Sequence, residues 1–369
     1  MIRLRNLRLI NNLPKDCWRA AENDPRKHTE EHEALFYTLP SDKNIFGQIS
    51  PFGYEPTKFN NIIGFSPIMI RKPALMAFNY IKQTSQSNPN TRVLLYGDPG
   101  HGKQHTLAHL VHYIYLNQEH VIIHVRETRY FTRYIQELNE SKSRPGRIDT
   151  PLYAAILLQQ FRNQNAKLLE KNSLVCSQDY TWSAREKTKT GEPLINIAEH
   201  GVNRVTHASD CVAVLFKELM LASDSGKIKL ATFIDDVRLL FQREAGNLKH
   251  SDKKRVLVDE ITVARSLKKL IKGNYKGGLL FASCDDKKSR EQNQMPQQVL
   301  GEEGWNHFDP CLPIHVPKYS RKEFESCMNM YQDIGWLCRP EASTHEVRDE
   351  LRFISGMNPE ELFYLCQSI

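Results

Sequence analysis

Three glycines and a lysine lie close together in residues 92–104, at a spacing that suits phosphate binding. The segment reads R-V-L-L-Y-G-D-P-G-H-G-K-Q, so a short apolar run leads into Gly97, Gly100 and Gly102 and then Lys103. From Gly97 onward it fits the phosphate-binding pattern G-x-x-x-x-G-K-[ST], the P-loop, at every position except the last. Such glycines let the backbone curl until successive N–H groups face one point, and the next helix adds its positive N-terminus. The residues expected to bind a nucleotide are Gly97, Asp98, Pro99, Gly100, His101, Gly102, Lys103, Gln104 and His105.

Gln104 occupies the position at which the pattern has Ser or Thr, whose hydroxyl binds Mg²⁺. The Gln104 carbonyl or the Thr106 hydroxyl could take over that contact, although the spacing predicts neither. A glycine-rich turn from strand to helix without any ligand is the alternative interpretation. The sequence therefore favours nucleotide binding, leaves Mg²⁺ open, and supports binding more than hydrolysis.

A second motif supplies the acids that such a site needs. Residues 229–236 read K-L-A-T-F-I-D-D, an apolar strand that ends in Asp235 and Asp236. Asp235 is the tentative Mg²⁺ ligand, in the manner of the strand-end aspartate of P-loop enzymes. Asp236 is the tentative catalytic residue, where related enzymes often place a Glu that orients the attacking water, and its shorter side chain predicts slow hydrolysis. A buried strand running into an acidic turn is the alternative.

The elements that would position these residues alternate between strands and helices. The predicted strands lie at 93–96, 121–125, 229–236, 278–283 and 312–316. The alternation predicts an α/β fold with a parallel sheet covered by helices. Together with the glycine loop it predicts a P-loop NTPase of the AAA-like, additional-strand type. Ser283 and Asp285, at the end of one strand, are where such a protein keeps a polar residue that senses the γ-phosphate.

We divide the chain into three parts. Residues 1–60 form an N-terminal targeting segment and a proline-rich extended arm with little regular structure, residues 61–318 a nucleotide-binding domain with inserted loops, and residues 319–369 a helical segment. The chain begins M-I-R-L-R-N-L-R-L-I, which interleaves arginine with leucine and isoleucine. That pattern fits a mitochondrial targeting peptide or a basic amphipathic arm.

Composition restricts the function only broadly. The 50 Lys and Arg against 43 Asp and Glu give a net charge of +7, which suits an RNA-binding protein and an ordinary enzyme equally. The eight cysteines are scattered without a C-x-x-C pair, so we expect neither a cysteine zinc site nor a disulfide framework. No apolar run is long enough to predict a membrane-spanning segment. The N-K-x-D and D-x-x-G motifs of common GTPases do not occur, so residue chemistry by itself favours ATP.

Five unusual stretches together resemble one protein family. They are D-P-R-K-H-T-E-E-H-E at 24–33, R-K-P-A-L at 71–75, L-L-Y-G-D-P-G-H-G-K at 94–103, L-G-E-E-G-W at 300–305 and K-E-F-E-S-C at 322–327. With them the chain resembles, over almost its whole length, the death-associated protein three family of GTP-binding proteins in the mitochondrial ribosomal small subunit.

The resemblance implies a place in the mitochondrial matrix, within the small ribosomal subunit. It implies small-subunit ribosomal proteins and ribosomal RNA as partners, bound GTP or GDP with ATP still possible, and an association with apoptosis. The family's loop commonly ends in Lys-Thr, whereas this chain has Lys103 and Gln104. The resemblance assigns no role to Asp236. Whether the site binds Mg²⁺ in the usual geometry, and whether it hydrolyses the nucleotide, therefore stays open.

Two functions follow from these observations. The first is a structural component of the mitochondrial small subunit that binds a guanine nucleotide with little or no turnover. The second is an AAA-like switch ATPase or GTPase that acts in apoptotic signalling. A third, an RNA-binding α/β protein with a vestigial loop, would hold no nucleotide.

Overall fold

The computed structural model describes residues 18–46, 54–126, 128–135, 137–250, 252–285, 294–337, 341 and 344–367. The arginine-rich segment at the start of the chain, with its predicted targeting role, lies outside these residues. The strands are β1 Phe36–Leu39, β2 Ser66–Met69, β3 Thr91–Tyr96, β4 His120–Val125, β5 Asn139–Glu140, β6 Ile148–Asp149, β7 Tyr180–Thr181, β8 Lys187–Thr188, β9 Lys229–Ile234, β10 Glu244–Lys249, β11 Arg255–Leu257, β12 Gly278–Ser283 and β13 Leu312–His315.

Helices connect most of these strands. They are α1 Lys43–Phe46, α2 Tyr54–Ile63, α3 Lys72–Gln83, α4 Lys103–Asn117, α5 Arg129–Thr132, α6 Pro151–Lys171, α7 Ile195–Asn203, α8 Ala208–Asp224, α9 Thr262–Lys272, α10 Pro296–Phe308, α11 Arg321–Asp333, α12 His345–Ser355 and α13 Pro359–Cys366. Within the described part of the chain, no helix is long and apolar enough to cross a membrane.

The five long apolar runs form one parallel sheet, as predicted. Its strand order is β13-β3-β12-β9-β4, and all four neighbouring pairs are parallel. Strand β12 therefore lies between β3, which leads into the glycine loop, and β9, which leads into the two aspartates. Because parallel strands share one carboxyl edge, the loop after β3 and the acids after β9 meet at the same side of the sheet.

Helices cover both faces of this sheet and bury its alternating side chains. Leu94 belongs to a core cluster with residues of α6, α8 and α9, whereas Val93 and Leu95 belong to a second cluster with residues of α3 and α4. Successive side chains of a strand point to opposite faces, so one short apolar run serves both cores. The predicted α/β class with a helix-covered parallel sheet is confirmed.

The prediction of an extended arm with little regular structure before residue 60 is wrong for its described part. Strand β1 pairs antiparallel with β2, and Phe36 lies opposite Met69. Trp18 and Tyr37 are buried, as is Phe59 of α2. Prolines and charged residues suggested a loose segment, but the aromatic side chains between them have enough apolar area to hold it against the domain.

The C-terminal helices pack on this N-terminal region. A third core cluster joins Trp18, Phe36 and Phe59 to residues of α11 and α13, among them Tyr331 and Leu362. Helix α11 begins with a capping box, in which the Ser320 hydroxyl accepts from the Glu323 N–H at 3.2 Å. The two ends of the described chain thus form one layer beside the sheet edge.

Candidate nucleotide-binding site

The glycine loop adopts a conformation that depends on its glycines. Gly97, Gly100 and Gly102 have φ angles of 141°, 81° and 89°, which side chains rarely permit. A Cβ atom added to Gly97 would lie 2.4 Å from the Val316 carbonyl oxygen. The loop therefore packs closely against the chain that leaves β13, and larger residues would open it.

Lys103 lies inside the loop that precedes it. Its Nζ donates to the carbonyl oxygens of Gly97 and Asp98, each at 2.7 Å, and lies 3.4 Å from Asp285 Oδ1. The side chain is only 4% exposed. The ammonium group is thus held at the centre of the loop, where the phosphate-binding pattern requires a positive charge.

Gln104 contacts the acid that was predicted to hold a metal. Its Nε2 donates to Asp235 Oδ2 at 2.6 Å, and the Ser283 hydroxyl donates to Asp235 Oδ1 at 2.6 Å. Both carboxylate oxygens therefore already accept a hydrogen bond from the protein. A hydroxyl at position 104 would offer a metal an oxygen, but the glutamine instead directs an amide N–H at the carboxylate.

Asp236 stands beside this pair in a constrained conformation. Its φ of 51° is left-handed. Its N–H donates to Ser283 Oγ at 2.9 Å, and its carbonyl oxygen accepts from Thr128 Oγ1 at 2.7 Å. Burial, followed by the charges of Asp235 and Asp285, raises the pKa of Asp236 to about 7. Oδ1 of Asp236 is buried and accepts no hydrogen bond from any residue that the structure describes.

Two predicted histidines of the loop carry no charge at neutral pH. The ring N–H of His101 donates to the Val316 carbonyl oxygen at 3.3 Å, and burial lowers the pKa of His101. His105 lines the cavity described below, and burial together with the nearby Arg71 lowers its pKa to about 4. Positive charge near the loop therefore comes from lysine and arginine.

Arg71 ties the loop to the C-terminal helices. Its Nε donates to Glu323 Oε1 at 2.6 Å, and one terminal nitrogen donates to the His101 carbonyl oxygen at 2.6 Å. The other terminal nitrogen donates to the Pro317 carbonyl oxygen at 2.8 Å. Both ion-pair side chains are almost wholly buried, 5% exposed for Arg71 and 6% for Glu323. Arg71, just before α3, is therefore a buried and hydrogen-bonded residue rather than a solvated one.

The start of α13 contacts the tip of the loop. Asn358 Nδ2 donates to the Pro99 carbonyl oxygen at 3.0 Å, and the Glu360 N–H donates to the Gly100 carbonyl oxygen at 3.2 Å. A Cβ atom on Gly100 would lie 2.5 Å from Asn358 Oδ1. The start of α13 thus packs directly against the tip of the loop.

A cavity of about 350 Å³ lies between the loop, the sheet edge and these helices. At one end its wall is polar and consists of Lys103, Gln104, Arg129, Asp235, Ser283 and Asp285. At the other end the wall is mainly aromatic and consists of Phe36, Phe59, Tyr319, Tyr331, Phe363 and Tyr364. Ligand sites commonly combine an apolar wall with a few polar groups in a volume of about 300–1,000 Å³.

The structure brings the sequence-predicted residues together. The loop residues from Gly97 to His105, the acids after β9, and Ser283 with Asp285 all lie at one sheet edge. Sequence reasoning missed Arg129, Glu323, Asn358 and the aromatic wall. Glu323 and Asn358 had local signals, as capping residues of α11 and α13, and those signals said nothing about the loop.

The sequence of the chain is similar to those of one known protein family. The family model described as mitochondrial ribosomal death-associated protein 3 matches residues 68–365. The chain is 35% identical over 363 residues to the small ribosomal subunit protein mS29 of Mus musculus, covering 96% of this chain and 90% of the relative. It is 33% identical over 369 residues to the protein of the same name from Bos taurus, covering 97% and 91%. The mitochondrial localisation that the resemblance implied is confirmed by these matches, and the chain belongs to the mitochondrial ribosomal death-associated protein 3 family.

Proposed function

We propose that the protein is a structural component of the mitochondrial small ribosomal subunit that keeps a purine nucleotide in the cavity between the glycine loop and the C-terminal helices. The family membership and the names of the two relatives support the ribosomal part of this proposal. The observation that carries the nucleotide part is the cavity itself, which has Lys103 and the loop at one end and aromatic rings at the other.

The polar end suits a polyphosphate. Lys103 now binds two loop carbonyl oxygens, and phosphate oxygens would offer the ammonium group stronger, charge-assisted partners. The N-terminus of α4 faces the same space and contributes its positive dipole. The position of β12 between β3 and β9 supports the additional-strand P-loop assignment.

The aromatic end suits a purine base. Flat rings such as those of Tyr331 and Phe363 offer faces on which a base can stack, and stacking of this kind contributes about 1–3 kcal/mol per base. Stacking alone does not separate guanine from adenine. The family resemblance favours GTP or GDP, with ATP as the alternative that the experiment below distinguishes.

The acids at the polar end fit a Mg²⁺ ion that accompanies the phosphates. Asp235 and Asp285 line this end, and Asp236 is buried beside them, with its Oδ1 lacking a hydrogen-bond donor in the described residues. Carboxylate oxygens are the ligands that Mg²⁺ prefers, and Asp235 would hold the ion once Gln104 or Ser283 released one of its oxygens. When bound, the ion would offset the repulsion between these carboxylates and the phosphates.

Retention without turnover is the mode that Gln104 favours. It occupies Asp235 Oδ2 and supplies no hydroxyl for a metal. One observation favours the alternative of a switch ATPase or GTPase, namely that a carboxyl with a pKa of about 7 is matched to general-base catalysis at neutral pH. Phosphate release by the wild type that is lost in Asp236→Asn would support the switch, and release equal to that of buffer would support retention.

The first experiment is native mass spectrometry of the full chain after gentle purification, with the bound molecule identified after denaturation. We expect one purine nucleotide per chain in the wild type and its loss in Lys103→Ala. Lys72→Ala is the matched control, because Lys72 is an exposed lysine. In parallel, both variants are followed by sedimentation with mitochondrial small subunits.

Each half of the proposal has its own contrary result. Wild-type protein that carries no nucleotide and is not stabilised by added GTP, GDP or ATP would contradict nucleotide retention. Protein found only in ribosome-free fractions would contradict the ribosomal role, whatever the nucleotide result.

A further inference from the structure

A cluster of three metal-ligating side chains lies outside the nucleotide cavity. Glu186 immediately precedes β8, His200 lies on α7, and His207 ends the short 3₁₀ turn Val205–His207 between α7 and α8. Their ligand atoms all lie within 4.8 Å of one another, and none of the three lines the cavity. The β7–β8 hairpin and the α7–α8 connection therefore meet at this cluster.

The separations are close to those of a tetrahedral metal site. His200 Nε2 lies 3.1 Å from His207 Nδ1, and His207 Nδ1 lies 3.9 Å from Glu186 Oε2. Ligands about 2.0–2.2 Å from a zinc ion stand roughly 3.4 Å apart in a tetrahedron. Small side-chain shifts would therefore bring the three atoms to ligand positions without any movement of the backbone.

The surroundings hold two of the ligands in place. Arg204 Nε donates to Glu186 Oε1 at 2.7 Å, which leaves Oε2 of the same carboxylate directed towards His207. The His200 ring stacks on Trp182 with ring centroids 5.3 Å apart, and Trp182 Nε1 donates to Thr188 Oγ1 at 2.9 Å. In metal sites generally, neighbouring residues hold the metal-binding side chains in orientation through contacts of this kind.

We propose that Glu186, His200 and His207 bind one Zn²⁺ ion, which fastens the β7–β8 hairpin to the α7–α8 connection. Two imidazoles and a carboxylate are a ligand set that zinc accepts, with the fourth position left for water or for a group from a neighbouring molecule. Arg204 is largely exposed, with 63% of its side chain accessible, so solvent screens its charge from the ion.

A simpler arrangement of the same residues makes the opposite prediction. The two histidines could share one proton in an N–H···N hydrogen bond across the 3.1 Å gap, with the carboxylate bound to Arg204 alone. That pair would need no metal, and its variants would change zinc uptake no more than an unrelated histidine does.

The test uses the full chain, stripped with a chelator and titrated with ZnCl₂ by calorimetry. We expect one tight Zn²⁺ equivalent in the wild type, and affinity lowered by at least about tenfold in Glu186→Gln and His207→Gln. His250→Gln is the matched control, since His250 forms a His–Glu pair with Glu260 at 2.9 Å but belongs to no group of three metal-ligating side chains among the described residues. Visible absorption of Co²⁺ in place of Zn²⁺ would report a tetrahedral site.

Thermal unfolding with and without zinc separates loss of binding from loss of folding. The wild type and His250→Gln should melt at a higher temperature when zinc is added, whereas the Glu186 and His207 variants should show a smaller increase at the same zinc concentration. The proposal is overturned if the wild type takes up no zinc, or if a His200→Gln/His207→Gln double variant still takes up the same equivalent.

Discussion

Replacement of Arg71 by methionine should destabilise the protein strongly, because it leaves a buried carboxylate without its counter-ion. The guanidinium makes the ion pair with Glu323 and donates to the carbonyl oxygens of His101 and Pro317. Breaking a buried pair by removing one partner costs about 3–5 kcal/mol. Glu323 keeps one donor, the Ser320 N–H at 2.7 Å, so we expect the lower end of this range, about 3 kcal/mol.

The assay is urea unfolding of the full chain in a double-mutant cycle with Glu323→Gln. Glutamine keeps the length of the side chain and can still accept from Ser320, so the second variant removes the charge and little else. The two losses should not add, and the cycle should give a coupling energy of about 0.5–3 kcal/mol. Lys72→Met, at the exposed neighbouring position, is the control and should change stability by no more than about 0.5 kcal/mol.

Arg71→Met should also weaken nucleotide retention. Arg71 holds the His101 carbonyl oxygen, and thereby the loop, against α11. If Arg71→Met lowers the free energy of unfolding by less than about 1 kcal/mol, the size found for exposed pairs, then water reaches this ion pair and the reasoning is wrong.

Two further predictions concern the loop and the acids. Gly100→Ala should lose more stability in urea unfolding than Gly64→Ala. Both glycines have a left-handed φ, 81° and 83°, so an alanine at either position costs about 1–2 kcal/mol in backbone strain. At Gly100 the added Cβ would also lie 2.5 Å from Asn358 Oδ1, whereas at Gly64 it would meet no atom within 4 Å. Equal losses would show that Asn358 and α13 can shift away from the added methyl group at little cost, and would contradict the prediction. Burial raises the pKa of Asp236 above its unfolded value, so the native state binds the proton more tightly and stability should fall as pH rises from about 4 to about 7. Asp236→Asn should remove that part of the decline, measured as the difference from wild type between pH 5.5 and 7.5, and an unchanged slope would contradict the raised pKa.

Local patterns in the sequence were enough to predict the sheet and the loop. An apolar run followed by Gly97 and Lys103 specifies a strand, a turn and a helix within fifteen residues. The motif of β9 with Asp235 and Asp236 is likewise contained in one short segment. Strand bounds at β3, β4, β9 and β12 follow the predicted runs closely because buried parallel strands are continuous apolar segments.

The rest of the site depends on contacts that no local pattern reveals. Arg71 and Glu323 are 252 residues apart, and Asn358 contacts Pro99 across 259 residues. Nothing in the residues next to Arg71 distinguishes a buried guanidinium from a solvated one. The aromatic wall is assembled in the same way, from β1 and α2 near one end of the chain and α11 and α13 near the other.

Because the aromatic wall contains helices from both ends of the described chain, its assembly affects how a ligand exchanges. The sheet and the loop precede α13 in the chain and can form before α13 packs against them. The wall of the cavity is complete only when α13 has packed, since Asn358 and Glu360 supply the contacts to the loop tip. The cavity is partly open to solvent, so separation of α13 from the loop would widen its mouth and speed the exchange of a bound molecule. The strength of the contacts between α13 and the loop tip would therefore affect how long a nucleotide is retained.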